Sequence, residues 1–394
     1  MGFLGRFLHH PQQLWLRRCN FQIHLWTGVL LSLYLVVIGV TGSILVFGAE
    51  LEKLLDPGPP PMLHSTKSVA DLATVITHLS GKYPRIHVVS VTAPTPNEPI
   101  FTAILQPGKQ ITVACDPATG EVIGEINRKP SRLAWVYDLH ENLLARRSGR
   151  VVNGMGAAAL LLMALTGLIN WWPGVKSWRR ALTIDFRRRW RRVNYDLHSA
   201  IGFWTLALIV VWAVSGVYFT WPDKFLAFVG HLSPLVNSRP PIVVIDPASD
   251  IAPLDFHALL SKAYSLDPGA RWEGIVFPAS RRSPFEILMS RSAGMGRDQE
   301  DTLYFNPYNG QYISTWHYGV NKSLGDWLVW LQVPLHFGTH WGLAVKCLWA
   351  FIGLALPALA VTGLLMYWNR FLSKKWPVAN RRFLPTPAPK TYNS

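Results

Sequence analysis

Four histidines stand at the edges of long apolar runs: His24, His140, His198 and His336, with His340 one helical turn beyond the last. Ionisable side chains at membrane depth are costly and mark functional sites. Their spacing recurs. His24 precedes Gly42 by 18 residues and His198 precedes Gly216 by 18, while His140 precedes Gly167 by 27 and His336 precedes Gly363 by 27. Gly28 and Gly202 each follow a histidine by four residues. If the two halves of the chain are related by a pseudo-two-fold axis along the membrane normal, His24 comes opposite His198, and His140 opposite His336 or His340. Two facing imidazoles on the flanks of a flat macrocycle are what a six-coordinate haem iron requires. The candidate cofactor-binding and iron-ligating residues are therefore His24, His198, His140 and His336, with His340 competing for the last position. Zinc or copper is the alternative, for which only His340 offers a third strong ligand. No proton acid/base machinery is visible.

Eighteen residues make five whole helical turns, which sets Gly42 on the face of His24 and Gly216 on the face of His198. Glycine there admits another helix, or a bulky planar cofactor, close to the backbone, and four-helix bundles often hold cofactors between facing helices. The remaining histidines, among them His9, His10, His64, His78, His87, His231 and His257, show no ligand spacing and read as surface residues. His317, within Trp316-His317-Tyr318, stands apart because it precedes the fourth apolar run.

The elements that must carry these residues are membrane spans. A bilayer core of about 30 Å needs about 20 apolar residues in a helix, and four uncharged stretches qualify. The expected organisation is a tail at 1–22, spans at 23–48, 139–172, 196–221 and 335–369, outward domains at 49–138 and 222–334, a basic loop at 173–195 and a tail at 370–394. The first apolar run is too long for a signal peptide and lacks a small-residue cleavage site after it, so it is expected to be retained. Loop 173–195 carries Lys176, Arg179, Arg180, Arg187, Arg188, Arg189, Arg191 and Arg192 against the single acid Asp185. The tails add Arg6, Arg17, Arg18, Arg370, Lys374, Lys375, Arg381 and Arg382. By the positive-inside rule the loop and both termini are expected in the cytoplasm, with Trp15, Trp26, Trp171, Trp172, Trp178, Trp221 and Trp368 as an interfacial belt.

Composition agrees. Only 15% of the 394 residues are charged while 49% are hydrophobic, far below the roughly 25% charge of soluble domains. The net charge of +15 is a topology signal and a contact for anionic membrane lipid; no nucleic-acid partner is expected. Cys19, Cys115 and Cys347 form no CxxC pair, which disfavours a disulfide framework, an iron–sulfur cluster and a thiolate zinc site.

The outward segments repeat as well. Asp116-Pro-Ala-Thr-Gly120-Glu-Val matches Asn306-Pro-Tyr-Asn-Gly310-Gln-Tyr at a constant offset of 190. Alternating strand patterns flank each turn: HVVSVTA, IFTAILQ and ITVAC in the first segment, WEGIVF, FEILMS and TLYF in the second. Helices are predicted over Val69–Ser80 and Phe256–Tyr264. The fold class is thus an α-helical integral membrane protein with four spans in two repeats, bearing two small α+β domains with antiparallel sheets.

These features together resemble the PepSY-associated transmembrane family of bacterial inner-membrane proteins. The matching residues are Asp116-Pro-x-Thr-Gly-Glu-Val, the Asp-Leu-His triplets at 138–140 and 196–198, and the Thr-Gly or Ser-Gly pairs late in each span, over about residues 15–370. Asn306, Asn309-Gly310 and a Pro-Leu-His triplet depart from that pattern in the second half. The chain looks like the branch that contains dihaem ferric-siderophore reductases. That resemblance implies a bacterial inner-membrane location, two b-type haems, and electrons delivered to a ferric siderophore outside, releasing Fe²⁺. The donor is expected to be external, a quinol or a cytosolic reductase, since no GxGxxG fingerprint marks a nicotinamide or flavin domain. Trp135, Tyr137, Trp316, Tyr318 and Trp327 are candidates to line a docking face for the chelate. Two rival readings are a siderophore or metal permease, for which Ser32, Thr41, Asn153 and Asn170 are the thin polar material, and a non-catalytic PepSY scaffold or regulator, which would not need paired histidines.

Overall fold

The structure is a computed structural model describing residues 3–9, 11–55, 70–84, 86–95, 99–106, 111–126, 131–237, 243, 255–292, 298–338 and 341–373. His10, His64, His340 and the basic residues beyond 373 lie outside the described residues. In chain order the helices are α1 (Phe3–His9), α2 (Trp15–Leu45), α3 (Gly48–Leu55), α4 (Leu72–Lys82), α5 (Ala134–Asn142), α6 (Arg146–Trp171), α7 (Trp178–Ala181), α8 (Trp190–Thr220), α9 (Pro222–Leu232), α10 (Phe256–Leu266), α11 (Leu324–Trp330), α12 (Gln332–Phe337), α13 (Leu343–Gly353) and α14 (Ala355–Tyr367). The chain forms two compact units: residues 1–56, 130–227 and 331–394, and residues 57–129 and 228–330.

In the first unit, four helical segments are long and apolar enough to cross a membrane: Trp15–Leu45, Arg146–Trp171, Trp190–Thr220 and Leu343–Leu372. α2 packs on α6, α6 on α8, α8 on α14 and α14 on α2, closing a ring. Its centre is apolar: Leu35, Leu160, Ala164, Ile209, Ala213, Leu356 and Ala360 are buried together. The spans differ from expectation at their edges. α2 and α8 begin eight and six residues before the expected starts, with charged residues in their first turns. The expected second span, 139–172, is two helices, α5 and α6, meeting at the left-handed residues Leu143, Leu144 and Arg146. The fourth is broken between α13 and α14 because Pro357 lies in the first turn of α14, where its missing N–H is tolerated. This break meets α2: a Cβ on Gly39 would lie 2.5 Å from Pro357 Cδ and 3.0 Å from the Gly353 carbonyl.

The second unit holds strands β1 (His87–Thr92), β2 (Phe101–Gln106), β3 (Ile111–Cys115), β4 (Val122–Glu125), β5 (Arg271–Val276), β6 (Phe285–Ser292), β7 (Asp298–Phe305) and β8 (Tyr312–His317). They form one antiparallel sheet in the order β4-β3-β2-β1-β5-β6-β7-β8. The expectation of two separate outward domains is corrected here. β1 pairs with β5 through Ser90↔Val276, Val91↔Ile275 and Thr92↔Gly274, so two edges that would otherwise be open to aggregation cover each other. α4 and α10 share one core with the sheet, including Leu72, Val75, Leu259, Ala263, Phe101, Phe285 and Phe305. Cys115 is buried there, and burial pushes its thiol up to about 11; Cys19 and Cys347 are free and exposed.

The two turns recognised from sequence have the same construction. Gly120 and Gly310 take φ of +72° and +69°, where a side chain is disfavoured. The Asp116 side chain accepts from Ala118 N at 2.8 Å and Thr119 N at 2.9 Å, and the Asn306 side chain from Tyr308 N at 2.9 Å. The expected helices and strands are present with small shifts at their ends. β4 and β8, each following its turn, are additions.

Asp326 fixes the entry to α11. Its fully buried carboxylate accepts from the backbone N–H of Val236 at 2.9 Å, Asn237 at 3.0 Å and Lys322 at 3.2 Å. Burial by itself opposes the charge, but these donors outweigh it and hold the group below the usual carboxylate range. A carboxyl depressed in the folded state contributes stability above its unfolded pKa of about 4, and that stability is lost as pH falls through the folded value. Asp326→Asn is expected to cost about 1–3 kcal/mol at neutral pH by leaving N–H groups poorly paired, and to flatten the acid limb of stability, in thermal melts between pH 7 and pH 3. Gly39→Val is expected to destabilise the helical unit by about 1–3 kcal/mol through overpacking; an unchanged melting temperature in detergent would contradict the close approach to Pro357.

Candidate functional site

His24 and His198 each sit about two turns into a long span helix, α2 and α8. The asparagine one turn before each is locked to a neighbouring helix. Asn20 donates to the Thr166 carbonyl at 2.9 Å, and the buried Asn194 donates to the Thr362 carbonyl at 2.9 Å. The same two threonines then take the histidines: His24 Nδ1 lies 3.1 Å from Thr166 Oγ1, and His198 Nδ1 lies 2.9 Å from Thr362 Oγ1. So held, the two rings face each other with centroids 6.4 Å apart and planes at 85°.

His140 and His336 are carried differently, on the short helices α5 and α12. Thirteen residues after each, a side chain of the next helix reaches back. Asn153 donates to the carbonyls of His140 at 2.8 Å and Glu141 at 3.0 Å, and Trp349 Nε1 donates to the Leu335 carbonyl at 2.8 Å. Asn153 is itself held by the Tyr34 hydroxyl at 2.8 Å. His140 Nδ1 is 2.8 Å from Thr41 Oγ1 of α2, and His336 Nδ1 is 2.7 Å from Ser215 Oγ of α8. These rings lie 6.3 Å apart at 65°, and Phe219 packs edge-on against His336 at 5.0 Å.

The four expected histidines are therefore brought together in the two expected pairs; His340 lies outside the described residues. Among the described residues no hydrogen bond reaches any of the four Nε2 atoms, and no cluster of three or more His, Cys, Asp or Glu side chains is assembled. His317 belongs elsewhere, paired with the buried Asp301 at 2.9 Å in the sheet unit. Of the aromatic candidates, Trp316, Tyr318 and Trp327 join Trp330 in one edge-to-face cluster of that unit, whereas Trp135 and Tyr137 belong to α5 in the helical unit.

The glycines do admit another helix close to the backbone. What approaches Gly42 is His140 of α5: a Cβ there would lie 3.0 Å from His140 Cε1. Likewise Gly167 would meet His24 at 3.2 Å and Gly363 would meet His198 at 3.4 Å. Eighteen residues of helix rise about 27 Å, so a residue on the same face sits at the opposite end of the span. Each Thr-Gly pair is a seat: the hydroxyl holds the ring and the glycine leaves room for it. Gly216 is the exception, facing Ala157 at 2.8 Å. Asn20 and Asn194 escaped the sequence reading, although the signal was there: both halves carry Asn one turn before His.

A cavity of about 1050 Å³ opens at the His24–His198 pair, just above the ~300–1,000 Å³ typical of small-molecule sites. Its walls are largely apolar, with Leu35, Leu160, Met163, Leu206, Ile209 and Leu359, and Arg17, Arg18, Arg191 and Arg370 are among the polar groups of the lining. Arg17 also caps α6, donating to the Asn170 carbonyl at 2.6 Å and the Trp172 carbonyl at 2.8 Å. An apolar slot with basic groups and two facing imidazoles can take a flat apolar ligand that carries a metal and acidic substituents.

Fold and site define a multi-pass membrane protein whose helices hold paired imidazoles at two depths. The chain belongs to the PepSY-associated TM region family, which it matches over residues 21–370. It is similar to the uncharacterised protein PA4219 of Pseudomonas aeruginosa, 26% identical over 263 residues, covering 60% of this chain and 63% of that protein. The chain thus spans less than two thirds of that relative's length.

Gly42→Val is expected to push His140 off Thr41 and lower the melting temperature in detergent, while Gly202→Ala, whose added carbon meets only Leu359 at 3.6 Å, leaves it unchanged. Equal behaviour of the two variants would refute the seat.

Proposed function

We propose that this chain is a haem-containing reductase of the bacterial inner membrane, passing electrons across the bilayer to a ferric siderophore and releasing iron as Fe²⁺. The observation that carries this reading is the equal separation of the two histidine pairs, 6.4 and 6.3 Å between ring centres. Two imidazoles that bound one metal ion from opposite sides, at about 2 Å with roughly 1 Å more from nitrogen to ring centre, would stand about 6 Å apart. The donor set fits as well: each pair offers two nitrogens without a hydrogen-bond partner among the described residues, suited to a macrocycle that supplies the other four bonds and unsuited to a closed tetrahedral zinc site.

Two b-type haems so held supply reversible one-electron couples. His24 and His198 would hold one near the basic end of the spans, and His140 and His336 the other. The apolar walls of the cavity keep water from the first pair, and its arginines offer counter-charge to acidic substituents. The basic loop and tails support a cytoplasmic position for that end under the positive-inside rule, and electrons would enter there from an external donor, a quinol or a cytosolic reductase. At the other end one electron converts the chelated Fe³⁺ to Fe²⁺, which hard-oxygen chelators hold far less well; the donor is oxidised by the same amount. The permease reading is weakened because three of its four polar residues have structural partners: Ser32 bonds the Val29 carbonyl, Thr41 holds His140, and Asn153 pins α5.

The purified chain is expected to show a Soret band that sharpens on dithionite, with two haems per chain. His24→Ala or His198→Ala should remove one haem and His140→Ala the other. A colourless wild-type preparation from haem-replete cells, or both haems surviving all three substitutions, would overturn the reading.

A further inference from the structure

We propose that Thr41, Thr166, Ser215 and Thr362 are positioning residues that fix all four imidazoles as the Nδ1–H tautomer and thereby set how readily iron between the paired Nε2 atoms accepts an electron. The inference rests on the bis-histidine haem reading above. A hydroxyl has one proton. In each of these residues it points down its own helix to the carbonyl four residues earlier: Thr41 to Val37 at 2.7 Å, Thr166 to Leu162 at 2.8 Å, Ser215 to Val211 at 2.8 Å and Thr362 to Ala358 at 2.7 Å. With that proton committed, the oxygen can only accept from the imidazole 2.7–3.1 Å away. Nδ1 must therefore carry the ring proton, and Nε2 is left as a lone pair.

The same nitrogen is engaged in all four rings, although two lie within spans and two on short preceding helices. Packing alone has no reason to choose Nδ1 four times; ligation through Nε2 requires it. The nature of the acceptor matters too. Metal-bound histidines commonly donate to carboxylates or carbonyls, which push electron density onto the ring and stabilise the oxidised metal. Here a neutral hydroxyl stands nearest each Nδ1, with the backbone carbonyls of Met163, Ile38 and Leu359 beside three of the rings; a hydroxyl pushes less than a carboxylate, so the ferrous state is less penalised. The carboxylates close in sequence to the ligands are engaged elsewhere: Asp196 is buried and tied to Arg192 at 2.9 Å, Asp138 accepts from Asn142 at 3.1 Å and Glu141 pairs with Arg150 at 3.1 Å.

The test is a redox titration of the purified haem-loaded chain, followed in the visible bands. Thr166→Val and Thr362→Val, which keep shape but lose the acceptor, are expected to change the reduced-to-oxidised ratio of one haem by about threefold or more at the wild-type midpoint. Thr166→Ser should restore it, and Thr166→Asp should shift the ratio towards the oxidised form. In the wild type, ¹⁵N NMR of labelled histidines in the diamagnetic ferrous state should show four protonated Nδ1 atoms, a readout independent of any variant. Unprotonated Nδ1, or midpoints and spectra that do not move in the valine variants, would overturn the proposal while leaving the haems in place. Absence of haem from the wild type would instead remove the reading beneath it.

Discussion

The helical unit is organised by the requirement that a polar side chain at membrane depth find a partner inside the protein. An imidazole on one helix is answered by a hydroxyl on the next, four times over. Each bond fixes two helices in rotation and in height at once, because neither group can slide without losing its partner in a medium that offers no water. The order of the helix ring follows. α2 must lie beside α6 for His24 to reach Thr166, and α8 beside α14 for His198 to reach Thr362. The histidines of α5 and α12 then lean back on α2 and α8 at the far end. The asparagines add a second anchor beside the first pair, fixing the threonine carbonyl as well as its hydroxyl.

Much of this was legible in the sequence, and the pattern of what was not is physical. Uncharged runs announce spans because hydrocarbon tolerates nothing else, and the equal His–Gly spacings announced which residues correspond between halves. Helical periodicity states which face a residue is on; it does not state what stands opposite. The spacing therefore puts Gly42 on the face of His24 and does not say that His140 is what approaches it. The edges of the spans were missed where charged residues continue a helix into the interface, as at Arg17, Arg18, Arg191 and Arg192. In the sheet unit the alternating patterns located six strands, but the β1–β5 pairing joins residues far apart in the chain and leaves no local trace. Val122–Glu125, with Gly124 in the middle, is too short to signal itself.

The short helices α5 and α12 show why a histidine at this end is not simply the first residue of a span. Continued into α6, α5 would aim His140 along the direction set by the span's own rotation. The break at Leu143, Leu144 and Arg146 frees that direction, at the cost of left-handed backbone in residues with side chains, an expense of order 1–3 kcal/mol each. Asn153 and the packed Gly149, where a Cβ would collide with the Asn142 carbonyl, hold the bend in place. In the second half Gly338 makes the corresponding turn at φ +65° without that strain, and Trp349 takes the place of Asn153. Different residues thus reach one result, a ring pair with nearly the same separation as at the other end.

That convergence bears on the scaffold reading. A structural histidine is best served when both ring nitrogens are paired. Here one nitrogen of each ring is paired with care and the other has no hydrogen-bond partner among the described residues, in two places where a second such ring faces it. Four open ring nitrogens, one strained joint and an apolar cavity beside basic side chains all work against the stability of a protein whose task is only to span a membrane and present a sheet. They are consistent with one another if the open nitrogens have a ligand. A flat metal macrocycle would satisfy both members of a pair at once, fill apolar space, and leave its acidic edges to the arginines.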